Sequence, residues 1–258
     1  MNQVEIWIED YVKTYKTLKE TSSEWRPPVI GTADAKDPRF EELKILVGPS
    51  HFLPSDLLSD AKSVVVFFLP FDEAIVKSNI GEIESSKAWD IANIETNNLI
   101  LDINHHVNAL MKIEGYESTI MPATYNYDEK LLKSDWSHRH VGHIAGIGTF
   151  GIHGLLITDK GCCGRMGSII TNMPLKESMD IGYERCLYKY NGSCGACINK
   201  CVVDAIENSN VNRRKCNDQI YDDNIPVYDI GIGDACGKCM CGVPCSLISP
   251  VKPSSELI

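Results

Sequence analysis

Apolar residues recur at helical spacing near the start of the chain, where Val4, Trp7, Ile8, Tyr11, Val12, Tyr15 and Leu18 fall on one face. The spacing predicts an amphipathic opening helix over Val4 to Leu18. The prolines of Trp25-Arg26-Pro27-Pro28 rule out its continuation, because proline lacks an N–H and fixes φ. Val64-Val65-Val66-Phe67-Phe68-Leu69, closed by Pro70, reads as a buried central strand. A second long helix is predicted from about Ala92 to Glu114, with Leu99, Ile103, Val107 and Leu110 on one face and Gly115 as its stop. Leu155 to Thr158 and Ser168 to Thr171 are further strand candidates, separated by the loop Asp159-Lys160-Gly161-Cys162-Cys163-Gly164. Up to about residue 180 the pattern is that of a mixed α/β domain.

Beyond Ile181 the segments become short, cysteine-rich and poor in apolar periodicity. Such a region builds little core from side chains alone, so metal centres would have to supply its cross-links. The expected organisation is therefore α+β, with an α/β domain over residues 1–180 and a second module over 181–258. A chain of 258 residues is long enough to bury a sizeable core. Its net charge of −10 argues against nucleic acid approached through counterion release and against an anionic membrane surface. The N-terminus has no basic stretch followed by an apolar core, and the longest apolar run, Val64 to Leu69, is too short to span a bilayer. The expectation is a cytoplasmic protein without nucleic-acid or membrane partners.

Eleven cysteines are present, nine of them between Cys186 and Cys245. Without an export signal, this density points to metal ligation rather than to disulfides. The first group runs Cys186, Cys194, Cys197, Cys201, and the second runs Cys236, Cys239, Cys241, Cys245, with Cys216 alone between them. Two thiolates two residues apart wrap one corner of a cubane, and in two-cluster ferredoxins the last cysteine of each run ligates the other cluster. Crossed in this way, Cys186, Cys194, Cys197 and Cys245 hold one [4Fe-4S] cluster, and Cys201, Cys216, Cys236 and Cys239 hold a second. Cys241 is left over as an alternate ligand for Cys239 or Cys216. The ferredoxin pattern would place a cysteine at Asn191, so either Cys186 fills that position or the first cluster has a non-cysteine ligand or an open iron. Two structural zinc sites would use the same number of thiolates.

The segment Trp136-Ser137-His138-Arg139-His140-Val141-Gly142-His143-Ile144-Ala145-Gly146-Ile147-Gly148-Thr149-Phe150-Gly151-Ile152-His153-Gly154, followed by Leu155 to Thr158 and by Gly167 to Leu175, resembles the region before the ferredoxin motif in the epoxyqueuosine reductase and reductive dehalogenase superfamily. Cys194 to Ile206 resembles the first cluster motif of that superfamily, and Arg213-Arg214-Lys215-Cys216 its isolated cysteine. The resemblance covers roughly Val64 to Cys245. It implies a nitroreductase-like α/β domain holding a corrinoid, fed by a bacterial two-cluster ferredoxin-like module. Carried over, Ser137, Gly146, Gly148 and Gly151 would line a cobalamin or substrate pocket, with Arg165 and Ser168 on its other wall. A flavin, or no organic cofactor, is the alternative occupant. The superfamily's Val-Asp-Ser-Ala-Pro segment has no counterpart in Met121 to Asp128. The helical-repeat extension that recognises tRNA is also missing, so a short member with a small-molecule substrate other than epoxyqueuosine is expected.

His138 and Tyr125 are the candidate proton donors. A hydrogen-bonded core histidine and an ordinary loop tyrosine are the competing readings. Cys162 and Cys163 read as small buried thiols. The leading function is an iron-sulfur reductase supplied by a donor such as a ferredoxin or flavodoxin. A non-catalytic electron carrier or maturation partner is the alternative, and a zinc-stabilised interaction module is the third reading.

Overall fold

The apolar run around Val66 forms the middle of a three-stranded antiparallel sheet in the computed structural model, which describes residues 2–207, 210–221 and 225–252. Helix α1 (Gln3–Lys19) opens the chain, capped where Asn2 Oδ1 accepts the Glu5 N–H at 3.0 Å. The sheet consists of β1 (Val29–Asp34), β2 (Ser63–Pro70) and β3 (Gly164–Thr171), in that spatial order. Every residue of β2 is buried, because both faces of the sheet are covered. Val65, Phe67 and Leu69 face α1 and the long helix α2 (Lys87–Ile113), against Ile8, Val12, Leu99 and Ile103. Val64, Val66 and Phe68 face the opposite layer, against Phe40, Trp136, Val141 and Ile144. This second layer includes helix α3 (His138–Ile144).

Both sheet edges are closed to further strands. On β1, Thr32 exchanges hydrogen bonds with Ser178, its N–H to Ser178 Oγ at 2.9 Å and its C=O from the Ser178 N–H at 2.8 Å. On β3, the Ile170 N–H donates to Thr119 Oγ1 at 3.1 Å and its C=O accepts the Thr119 N–H at 2.9 Å.

The long helix begins five residues earlier than its apolar periodicity predicts, at Lys87, with Ser86 accepting the Trp89 N–H at 3.2 Å as its cap. That early turn joins the cysteine-rich segment to the sheet. Trp89 packs on Phe71 with ring centroids 5.0 Å apart, Asp90 accepts the Tyr228 hydroxyl at 2.9 Å, and Asn93 donates to Asp234 at 3.1 Å. Residues from both parts of the chain share one core: Phe71, Trp89, Ile152, Ile157 and Cys162 pack with Cys186, Cys197, Ile206, Met240 and Val243. Arg26 clamps the same junction, donating to the carbonyls of Phe71, Lys160 and Leu247 at 2.9, 2.7 and 2.8 Å. None of the described helices is long and apolar enough to cross a membrane.

Gly167 on β3 sits where α2 comes closest to the sheet, and a Cβ there would lie 2.4 Å from the Phe67 ring and 2.8 Å from Ile100. Both neighbours are fully buried and have nowhere to move. Gly167→Ala is expected to destabilise the fold by about 1–3 kcal/mol through overpacking, read from urea unfolding. An unchanged midpoint would show that the helix–sheet contact is looser than described.

Candidate functional site

Short helical turns hold the cysteines. Cys186 precedes the helix Leu187–Asn191, Cys197 lies in Ala196–Lys200, and Cys239 lies in the single turn Lys238–Met240, which packs on Ala196–Lys200. Cys186, Cys194, Cys197 and Cys245 line one small cavity, together with Ile152, His153 and Pro244. Burial pushes the Cys197 thiol up to about 12, and Cys245, Cys186 and Cys194 add to the shift. The second group gathers around Cys239, which is raised by burial and then by Cys236, Cys216 and Cys201. Burial likewise raises Cys216, with Cys236 and Cys201 contributing. Cys186 thus lines the same cavity as Cys194, Cys197 and Cys245, and Cys197 also lies within electrostatic reach of Cys239. Cys241 instead faces Asn79, whose amide donates to its sulfur at 3.6 Å, and it interacts with Cys163.

Thiols crowded in this way cannot ionise together unless a cation sits among them. Two groups of four therefore fit two four-thiolate metal centres. Sequence reasoning missed two neighbours of the first group. The Nε2 of His153 lies 3.5 Å from Cys245 Sγ, and Cys162 Sγ lies 4.0 Å from the same sulfur. The ligand atoms of His153, Cys162 and Cys245 all fall within 4.8 Å of one another.

The Gly146 to Gly151 turn does not fit a macrocycle, because protein already fills the space each glycine leaves. A Cβ would lie 2.5 Å from the Met179 carbonyl oxygen at Gly146 and 2.6 Å from that of Ile157 at Gly148. At Gly151 it would lie 2.6 Å from the His153 ring. These glycines permit close packing of the chain on itself.

His138 is also committed to the core. The Trp136 indole donates to Ser168 Oγ at 2.9 Å, Ser168 Oγ lies 3.0 Å from His138 Nδ1, and His138 Nε2 lies 3.0 Å from the Pro122 carbonyl oxygen. The carbonyl can only accept, so Nε2 carries the proton, Nδ1 accepts from Ser168, and the ring is neutral with both nitrogens used. Ser137 precedes α3, its N–H donating to His51 Nε2 at 3.1 Å and its Oγ lying 2.8 Å from His140 Nδ1. Tyr125 packs edge-on to Phe52 at 5.9 Å.

Two arginines lie within electrostatic reach of these histidines, Arg165 of His138 and Arg139 of His140. Arg139 is exposed and Arg165 half-buried, and desolvation by the surrounding protein lowers the pKa of both guanidinium groups. Arg139 donates to the Gly154 carbonyl at 3.0 Å, and Arg165 donates to Asn93 Oδ1. Neither forms an ion pair with a carboxylate among the described residues. Arg139 lies within electrostatic reach of Cys216 and Cys239, and Arg165 within reach of Asp234 and Tyr221.

Burial lowers the His138 pKa to about 4. The unfolded chain protonates this ring below about pH 6.5, whereas the folded chain does so only near pH 4. Its contribution is therefore complete above pH 6.5 and is lost as pH falls through that window, by up to about 3 kcal/mol. Denaturation curves from pH 7 to 4.5 should show a shallower loss for His138→Gln than for the parent. Parallel losses would show that His138 does not carry this dependence.

No protein-family model and no curated protein matches the chain. Solved structures do. Epoxyqueuosine reductase from Bacillus subtilis superposes with a TM-score of 0.58 at 16% identity, over 95% of this chain and 65% of that one. The enzyme from Streptococcus thermophilus gives 0.54 at 16% identity, over 97% and 70%. The catabolic reductive dehalogenase NpRdhA gives 0.62 at 15% identity, over 86% of this chain and 30% of its own length. At such identities the likeness is one of architecture: a mixed α/β chain with the fold of the epoxyqueuosine reductases and reductive dehalogenases.

Proposed function

We propose that this chain is an iron-sulfur reductase in which two [4Fe-4S] clusters pass low-potential electrons to an acceptor bound near Arg139 and Arg165. The observation that supports this reading is the gathering of eight cysteines into two groups of four, the second within electrostatic reach of Arg139. Cys186, Cys194, Cys197 and Cys245 would hold the first cluster, and Cys201, Cys216, Cys236 and Cys239 the second, in a ferredoxin-like module on a nitroreductase-like domain. Bound clusters supply one-electron steps. Arg139 and Arg165, which form no carboxylate ion pair among the described residues, favour an acceptor that gains negative charge on reduction.

Tyr221 takes the proton-donor role that the sequence assigns to His138. Its pKa is raised to about 12 by burial and then by Asp234, so it keeps its proton at neutral pH. Its hydroxyl lies 3.2 Å from Asp234 Oδ2. No step is assigned to a corrinoid, since the glycine turn expected to receive one is packed with protein. The electron donor would be a ferredoxin or flavodoxin of the reducing cytoplasm, which keeps the thiols available for iron.

Anaerobically purified protein should contain about eight irons and eight acid-labile sulfides per chain. Two zinc ions and no sulfide would overturn the reading in favour of structural zinc. Cys201→Ser should remove the electron paramagnetic resonance signal of the cluster held by Cys236 and Cys239. The signal of the Cys194–Cys197 cluster should remain, although Cys201 is only four residues from Cys197 in sequence. Loss of the opposite signal would reject the crossed ligand assignment.

A further inference from the structure

The turn Gly151–Leu155 places one imidazole against a sulfur of the first thiol group. It is closed by the Gly151 N–H to the Leu155 carbonyl at 2.9 Å and the Gly154 N–H to the Gly151 carbonyl at 3.0 Å. The ring of His153 is buried and lies over Gly151, where a Cβ would come within 2.6 Å of its Cε1. The Leu155 N–H donates to His153 Nδ1 at 3.1 Å. A backbone donor aimed at Nδ1 requires the lone pair there, so in the neutral ring the proton sits on Nε2. Nε2 is the atom 3.5 Å from Cys245 Sγ. The tautomer is thus set by the backbone on one side, and the N–H points at sulfur on the other.

We infer that His153 is a positioning residue of the first cluster, donating an N–H···S hydrogen bond to Cys245 and thereby raising the reduction potential of the cluster that Cys245 helps to hold. The inference rests on the iron-sulfur reading above. Reduction adds negative charge that spreads onto the cysteine sulfurs, and a donor to one of them stabilises the reduced form more than the oxidised form. Cys245 is held for this contact from its backbone, where its carbonyl accepts the Cys162 N–H at 2.9 Å. The same geometry argues against His153, Cys162 and Cys245 forming a separate metal site. With Nδ1 accepting from Leu155, a metal on Nε2 would require a ring stripped of both protons.

The test is a redox titration of the anaerobic holoprotein followed by electron paramagnetic resonance. It is run beside iron and sulfide analysis and thermal melts of the same samples. His153→Phe keeps a ring but loses the donor, and should shift the Cys194–Cys197 cluster to a more negative midpoint while leaving the second cluster and the iron content unchanged. His153→Gln, whose amide N–H can reach the sulfur, should restore most of the shift. Should the Phe variant fail to fold, His153→Asn, polar but too short to reach Cys245, should give the same negative shift. An unchanged midpoint in the Phe or Asn variant would overturn the inference. Loss of half the iron would also overturn it, by making His153 a ligand. Wild-type protein without any iron-sulfur signal would reject the reductase reading itself, a result read without any variant.

Discussion

In the crossed grouping of the eight thiols the chain folds back so that the last cysteine of each run reaches the other run. Cys245 must come to Cys197 and Cys201 to Cys239, and the rest of the molecule is arranged around that return. The segment carrying these residues has few apolar side chains of its own. It borrows the first turn of α2, where Trp89, Asp90 and Asn93 engage Phe71, Tyr228 and Asp234. It also borrows the Arg26 clamp on the carbonyls of Phe71, Lys160 and Leu247. A rigid sheet with both faces buried and both edges covered supplies the platform.

Charge is distributed to suit that arrangement. The chain is acidic overall, yet Arg139 stands within electrostatic reach of Cys216 and Cys239, and Arg165 within reach of Arg139 and Asp234. Burial makes clustered thiols hard to ionise, and a cation among them reverses that cost. A guanidinium nearby further favours the anionic state of a cluster and of anything reduced next to it. His153 stands at shorter range, with its Nε2 3.5 Å from a single sulfur.

In the motif between Trp136 and Gly154, the resemblance makes the glycines a cofactor wall and His138 is a candidate proton donor, but the polar contacts run inward. His138 is spent on Ser168 and Pro122, His143 on the Gly148 carbonyl at 3.0 Å, and Gly151 makes room for His153. His153 lies in the same segment and was overlooked, because a histidine two residues after a glycine carries no signal of which sulfur its ring will meet. Cys162 was read as a small buried thiol, and nothing in its local sequence announces Cys245 across the fold.

Periodicity was enough to determine the opening helix, the buried central strand and the body of the long helix. Each of these follows from the order of apolar residues within a few turns of chain. The cysteine spacing limits which thiols can share a centre, since short Cys-x-x-Cys turns have few geometries. Strand β1 was not legible, because Gly31, Thr32 and Ala33 are small and owe their burial to neighbours supplied from elsewhere. Only the tertiary structure decided that α2 starts at Lys87, that Arg139 and Arg165 come within electrostatic reach of each other, and that His153 points its Nε2 at Cys245. Those outcomes depend on contacts between segments distant in sequence, and local pattern carries no information about the direction in which a buried polar side chain finds its partner.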